Sequence, residues 1–118
     1  VLTSELLPLC DAVVDLHTGA VNRANLPQVR VTADDEASLD VAQAFGSPVT
    51  LTTETQSGTF RAACNEAGVP VILYESGEAL RLDTASIRFG KRGVQAVMRH
   101  MGMLPKRPAA AKKVPNML

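Results

Sequence analysis

The fold is decided by residues 69–78, whose sequence is VPVILYESGE. Residues 69–74 are the most hydrophobic run in the chain, and a short continuous apolar run is typical of a strand that is buried on both faces. We therefore predict that this run is the central strand of a sheet, with Glu75 directly after its carboxyl end. An acidic residue in that place is costly unless it is paired or reaches the surface.

A second short apolar run, AVV at residues 12–14, leads into the sequence DLHTG at residues 15–19. We predict a strand over residues 12–17, followed by a loop over residues 18–27 that contains Gly, Asn and Pro. In open α/β sheets, ligands bind beyond the carboxyl ends of the strands. This stretch therefore places a histidine, His17, where such a sheet carries its chemistry.

The rest of the sequence alternates between strand and helix patterns. Strands are predicted over residues 28–32 and 49–53. Helices are predicted from an acidic start at residues 34–36 to residue 45, over residues 60–67, and from a cap at Asp83 or Thr84 to about residue 101, with a short helix or helix end within residues 2–11. Gly46 and Gly68 are suited to ending helices. The predicted buried stripe of the last helix consists of Ile87, Val94, Val97, Met98 and Met101. Such alternation predicts an α/β fold with a mainly parallel sheet and helices on both faces.

Composition bounds the domain count and the partners. The 118 residues suit one domain, residues 1–104, while residues 105–118 are rich in Pro, Ala and Lys and predict a linker or disordered tail. Twelve basic residues balance twelve acidic ones, and there are three Phe, one Tyr and no Trp, so we expect neither a nucleic acid nor a membrane as partner. We also expect a cytoplasmic protein without a signal peptide, in which Cys10 and Cys64 are buried, reduced thiols.

Two residues at predicted strand ends carry the candidate chemistry. His17 could ligate a metal, although a lone histidine there is equally consistent with an exposed or structural residue. Glu75 could act as a general base, or it could simply be a solvated strand end, and Glu78 competes for the same role. Asp15 lies on the same strand face as His17, where it could orient the imidazole or be a plain edge residue.

Arginine and asparagine side chains could hold an anionic substrate. Arg23 and Asn25 follow His17 in the predicted loop, and Arg61 lies early in a predicted helix. Guanidinium groups bind carboxylates through two parallel hydrogen bonds, which favours these positions as substrate-binding residues. The alternative is that they are solvated surface charges.

Three segments together resemble the succinylglutamate desuccinylase/aspartoacylase family, a branch of the zinc carboxypeptidase-like hydrolases. They are DLHTG at residues 15–19, NRANLPQVR at residues 22–30 and GVPVILYESG at residues 68–77. The resemblance covers roughly residues 1–104. It implies that His17 is a zinc ligand, that Glu75 is the glutamate that activates water, and that Arg61 lies near the arginine that binds the substrate carboxylate.

The family's other two zinc ligands come from an upstream His-x-x-Glu motif, which this sequence does not contain. We therefore expect the central to C-terminal part of a catalytic domain, inactive alone, from a longer zinc-dependent deacylase. The resemblance implies that the whole enzyme cleaves the acyl-amide bond of an N-acyl amino acid or a related small molecule. The alternative is a non-catalytic α/β module that binds small anions or a protein. An open sheet edge could also pair with a second copy to form a homo-oligomer.

Overall fold

A computed structural model describes residues 1–108 of the chain. The strands are β1 Val13–Gly19, β2 Asn25–Thr32, β3 Thr50–Thr53 and β4 Val71–Glu78. The α-helices are α1 Glu36–Phe45, α2 Phe60–Glu66 and α3 Thr84–His100, and the chain begins with a π-helical turn, Leu2–Leu6, and a 3₁₀ turn, Leu7–Leu9. None of the helices in residues 1–108 has the length and hydrophobicity that crossing a lipid bilayer requires.

Within residues 1–108 the strands form one sheet in the order β1-β4-β2-β3. β1 pairs with β4 in parallel, β2 pairs with β3 in parallel, and the central pair of β2 and β4 is antiparallel. The antiparallel pair arises because the short loop over residues 20–24 reverses the chain after β1, so that β2 runs against both β1 and β4. The predicted α/β class is confirmed, with a mixed rather than purely parallel sheet.

The core lies on both faces of β4, as the hydrophobic run 69–74 predicts. Val71 and Ile72 are fully buried and point to opposite faces. Ile72 packs in the larger cluster, together with Val29, Val31, Val41, Ala42, Phe45, Tyr74 and Val97 from β2, β4, α1 and α3. Val71 packs with Leu7 and Cys64 in a smaller cluster on the other face. Helices therefore cover both faces of the sheet.

Ser38 connects α1 to the first residue of β4. Its hydroxyl donates to Asp35 Oδ2 at 2.5 Å and accepts from the Val71 backbone N–H at 2.8 Å. Asp35 caps α1, since its Oδ1 accepts from the Ser38 N–H at 3.0 Å, and Gly46 ends the helix with a φ of 73°. A fully buried serine is well placed here because both its donor and its acceptor capacity are used.

Several sequence-based boundaries and burial expectations are corrected. β2 begins at Asn25, inside the predicted loop, and β4 continues through Glu75, so that Glu75 lies within the strand rather than after it. Ile87 is 54% exposed rather than part of a buried stripe, because it faces the open edge beside β1. Cys10 is exposed rather than buried, whereas Cys64 is buried as expected, and burial raises the pKa of its thiol.

The predicted boundary at residue 104 and the tail over residues 105–118 remain predictions. Only residues 105–108 of that tail fall within the described part of the chain, where they form no helix or strand. The remainder, residues 109–118, lies outside it.

Candidate active site

His17 and Glu75 are direct register partners on the neighbouring parallel strands β1 and β4. Residues in register project from the same face of a sheet, and so do alternate residues along one strand. The side chains of His17, Asp15 and Glu75 therefore leave the sheet on one side, the side that packs against α2. On that face the sheet brings together the histidine and the carboxylate that the sequence places on separate strands.

Residues of β2 extend this polar face on the far side of β4. Gln28 is the register partner of Glu75, and Arg30 is the register partner of Leu73. Because β2 runs antiparallel to β4, Asn25 lies on the side of Glu75 towards the carboxyl end of β4. Arg30 lies on the side towards the amino end of β4. Glu75 is thus flanked by β1 with His17 on one side and by β2 with its polar residues on the other.

The carboxylate of Glu75 is held by one side chain on each oxygen. Asn25 Nδ2 donates to Oε1 at 2.5 Å, and Arg30 Nη2 lies 3.2 Å from Oε2. The Glu75 side chain is only 15% exposed. A carboxylate that far from water requires partners, and the arginine and the amide supply both charge and hydrogen bonding.

Arg30 has a place in this site that sequence reasoning missed. Arg30 lies at the end of residues 22–30, a segment that carries the family resemblance, but that segment alone indicates no role for it. The alternation of β2 offers a signal, since Gln28 and Arg30 share a face opposite the buried Val29 and Val31. That alternation does not identify Glu75 as the partner of Arg30, because the partner depends on the register between β2 and β4.

His17 is paired with Asp15 along β1. The Nε2 atom of His17 lies 3.0 Å from Oδ2 of Asp15, and the two side chains are 47% and 32% exposed. This contact leaves Nδ1 as the ring nitrogen that is turned away from the carboxylate. A carboxylate beside one ring nitrogen orients the imidazole and favours the tautomer whose other nitrogen has a free lone pair.

The turn after β1 is built around Gly19 and Gly77. A Cβ atom on Gly19 would lie 2.1 Å from the Arg23 carbonyl oxygen and 2.8 Å from that of Gly77. Gly77 has a φ of 72°, and the pairing of β1 with β4 slips between His17 and Gly19. Glycine at the end of the DLHTG segment therefore allows the backbone of the loop to cross close to β4.

Glu78 holds this loop in place. Its Oε1 accepts from the Asn22 backbone N–H at 2.8 Å, and Arg81 Nε lies 3.0 Å from its Oε2. Asn22 has a φ of 61°, a conformation that asparagine tolerates better than most residues. The contacts of Glu78 thus favour a structural role over competition with Glu75.

The predicted substrate-binding residues are placed differently from one another. Asn25 contacts Glu75, as described above. Arg23 is exposed in the loop, and its side chain makes no hydrogen bond or ion pair with residues 1–108. Arg61 lies in the first turn of α2, where Nη2 donates to the Glu54 carbonyl oxygen at 3.4 Å and the buried Nη1 meets no partner within the described residues. Arg61 therefore has donor capacity to spare.

Residues 1–108 do not complete a metal site by themselves. Across residues 1–108, no group of three or more His, Cys, Asp and Glu side chains is gathered closely enough to hold a metal ion. His17 with Asp15 offers one imidazole nitrogen, whereas zinc sites in enzymes use three protein ligands.

A shallow apolar groove lies on the opposite face of the sheet, between β1 and α3. Its walls include Leu16, Tyr74, Ile87, Gly90 and Val94. His17 and Thr18 border the groove at the end of β1. Because Glu75 projects from the other face, its carboxylate does not line this groove.

Comparisons with known proteins agree with the resemblance. The family model described as the succinylglutamate desuccinylase/aspartoacylase catalytic domain matches residues 1–101. A search of curated proteins finds no significant match. A solved succinylglutamate desuccinylase/aspartoacylase from Rhodobacter sphaeroides is 30% identical, with a TM-score of 0.79 over 95% of this chain.

Two further solved structures are similar at lower identity. The product-bound ectoine utilization protein EutE from Ruegeria pomeroyi is 25% identical, with a TM-score of 0.81 over 90% of this chain. A succinylglutamate desuccinylase from a Silicibacter species is 25% identical, with a TM-score of 0.72 over 86% of this chain.

The matched region is a part of each of these relatives. The chain covers 34% of the first two solved structures and 33% of the third, which is about a third of their length. The match to the family model nevertheless extends over residues 1–101 of 118. The chain therefore belongs to the succinylglutamate desuccinylase/aspartoacylase family of deacylase-type hydrolases.

Proposed function

We propose that the full-length protein is a zinc-dependent deacylase that cleaves the acyl-amide bond of an N-acyl amino acid or a related small molecule. The observation that carries this proposal is the register of His17 and Glu75, with the Glu75 carboxylate held on both oxygens by β2. Membership of a hydrolase family supports the reaction class.

Glu75 is the proposed proton-transfer group. An ionised carboxylate has about four lone-pair positions, and Asn25 and Arg30 each use one, so both oxygens can still accept a hydrogen bond. Glu75 would accept a proton from the attacking water and deliver it to the leaving amine. Burial to 15% exposure keeps the carboxylate close to the reacting atoms and limits competing water.

His17 is the proposed metal ligand that this chain contributes. We propose that Nδ1 binds the metal while Asp15 holds Nε2, which is a common arrangement around ligating histidines. Because the described residues supply no further group of ligands, the remaining ligands would come from parts of a longer polypeptide. Zinc bound there would supply Lewis-acid polarisation of the acyl carbonyl.

Arg61 is the proposed anchor for a substrate carboxylate. Its Nη1 is a buried donor without a hydrogen-bond partner within residues 1–108. Leaving a buried donor without a hydrogen bond costs free energy. A carboxylate of the substrate would satisfy it. Arg23, exposed in the loop after β1, would add long-range attraction for the same anion.

The test is hydrolysis of a panel of N-acyl amino acids by the full-length protein, with and without a metal chelator. Glu75→Gln keeps the shape of the side chain but removes the base, so we expect kcat to fall by roughly 10²–10⁴-fold. Glu66→Gln, on the exposed end of α2, is the matched control and should retain activity. Chelator-insensitive hydrolysis that survives His17→Ala would contradict the proposal.

The alternative function, a non-catalytic module that binds small anions or a protein, makes the opposite prediction. It requires that the full-length protein, loaded with zinc, hydrolyse none of the panel while still binding the same compounds. Isothermal titration with the N-acyl amino acids separates the two, because a binding module would show heat of binding without product formation.

A further inference from the structure

The contacts around Glu75 assign a role to Arg30 that goes beyond pairing of charges. The two donors on Glu75 come from the same strand, Asn25 at the start of β2 and Arg30 near its end. In the register of β2 with β4, Gln28 lies opposite Glu75 and separates them. The carboxylate is therefore held from both directions along the neighbouring strand.

Holding both oxygens fixes the plane of the carboxylate. The terminal torsion of a glutamate side chain is broad, so a carboxylate with one partner can still rotate. A second donor on the other oxygen removes that freedom. Asn25 alone would anchor Oε1, and it is the Arg30 contact at 3.2 Å that sets the direction of Oε2.

Arg30 is not saturated by structural contacts. Its buried Nε has no hydrogen-bond partner within the described residues, while its side chain is 40% exposed. An arginine that served packing or surface charge alone would be expected to satisfy its buried donors. In this structure Nε has no hydrogen-bond partner within residues 1–108, while Nη2 faces Oε2 of Glu75.

We propose that Arg30 is a positioning residue, which fixes the orientation of the Glu75 carboxylate for proton transfer. The inference rests on the proposed function of Glu75, and it adds that Arg30 acts through Glu75 rather than by contact with the substrate. Misplacing a reacting group by about 1 Å can cost on the order of 10²-fold in rate. Loss of Arg30 should therefore lower kcat and leave KM nearly unchanged.

The experiment compares Arg30→Met, Arg30→Lys and Arg30→Ala in the full-length protein. We expect Arg30→Met to lower kcat about 10–100-fold, with KM changed less than about threefold. Arg30→Lys should recover part of kcat, because an ammonium keeps the charge but not the planar fork. Guanidinium ions added to the assay should partly restore Arg30→Ala but not Glu75→Gln.

Arg88→Met is the matched control. Arg88 is exposed on α3, on the other side of the sheet, and forms no ion pair within residues 1–108, so its loss should change neither kinetic constant. A rise in KM with unchanged kcat for Arg30→Met would overturn the inference, because it would mean that Arg30 binds substrate. Unchanged kcat and KM would overturn it as well.

A crystal structure of the full-length Arg30→Met variant gives a readout that does not depend on activity. We expect the Glu75 carboxylate to rotate or to occupy more than one orientation when only Asn25 holds it. A single, unmoved orientation would overturn the inference even in a protein without measurable hydrolysis. The wild-type protein could hydrolyse no N-acyl compound while the Glu75 carboxylate of the Arg30→Met variant still loses its single orientation. In that case the proposed function fails and the positioning of Glu75 by Arg30 stands.

Discussion

At the scale of single residues, one hydroxyl group joins α1 to the strand that carries Glu75. Ser38 uses its hydroxyl both to donate to Asp35 and to accept from the Val71 N–H. Val71 is the first residue of β4 and is fully buried, so its N–H has no access to water. The position of β4 relative to α1 thus depends on a hydrogen bond that no packing contact can replace.

We expect Ser38→Ala to lower the free energy of unfolding by about 1–3 kcal/mol, because the buried Val71 N–H would be left without a partner. Urea denaturation followed by circular dichroism measures this change. Ser47→Ala is the matched control, since the buried Ser47 hydroxyl has no partner within the described residues and its removal should cost nothing or stabilise. Equal losses for the two variants would show that the contact with Val71 is unimportant.

The contacts of the candidate site residues were predictable from the sequence only where one strand decides them. His17 with Asp15 follows from alternation along β1, and Glu75 follows from its place after a buried run. Arg30 could not be predicted, because its role depends on the offset between β2 and β4. That register pairs residues that are far apart in the sequence, which short-range patterns do not reveal.

At the scale of elements, α3 is attached to the end of β4 through a chain of hydroxyl groups. Ser76 is buried at the end of β4, and its hydroxyl donates to that of Ser86 at 2.8 Å. The Ser86 hydroxyl donates in turn to Asp83, which also caps α3 by accepting from the Ala85 N–H at 3.0 Å. The start of α3 is thereby fixed next to the strand segment that carries Glu75.

Asp83 makes the stability of this attachment depend on pH. The Ser86 hydroxyl, and then the Ala85 N–H, lower the pKa of the Asp83 carboxyl below its ordinary value of 3.8. A lowered pKa in the folded state stabilises the fold above pH 3.8, and this contribution is lost as the pH falls through the lowered pKa. The Tm of Asp83→Asn should therefore lie below that of wild type at pH 7, and the gap should close in acid.

Thermal unfolding between pH 7 and pH 2.5 measures that gap. Asp11→Asn serves as the control, because the exposed Asp11 makes no hydrogen bond or ion pair through its side chain within residues 1–108. Its Tm should follow wild type at every pH. A gap for Asp83→Asn that stays constant into acid would contradict the prediction, because it would not depend on the charge of Asp83.

Element types were more predictable than their arrangement. The acidic start of α1, Gly46 at its end and the central position of β4 all follow from local sequence. The antiparallel pairing of β2 with β4 does not, because it depends on the chain reversal after β1. The exposure of Ile87 also escapes a periodicity argument, since helical spacing shows a shared face but not what covers it.

At the scale of the whole molecule, the candidate site occupies one face of the sheet, and residues 1–108 supply too few side chains to complete a metal site. His17, Glu75 and Arg30 lie on one face of the sheet, while no group of three metal-binding side chains exists within residues 1–108. The chain corresponds to about a third of the length of its solved relatives. Under the proposed function, the catalytic carboxylate and the remaining metal ligands would therefore come from different parts of a longer polypeptide.

This division of the metal ligands between the chain and the rest of the polypeptide predicts different zinc contents for the 118-residue chain and the full-length protein. After dialysis, the 118-residue chain alone should hold far less than one zinc per molecule, because a single imidazole with its neighbouring carboxylate is a weak site. The full-length protein should hold close to one equivalent, and His17→Ala should remove most of it. Mass spectrometry of the metal content, with His100→Ala as control, measures both quantities.

His100 is a fair control because it too is a histidine beside a carboxylate. Its Nε2 lies 2.6 Å from Asp40 Oδ2, at the end of α3 and away from β1. Loss of zinc in both histidine variants would indicate unfolding rather than loss of a ligand. Stoichiometric zinc in the 118-residue chain that depended on His17 would contradict the division, since it would require a complete set of ligands within these residues.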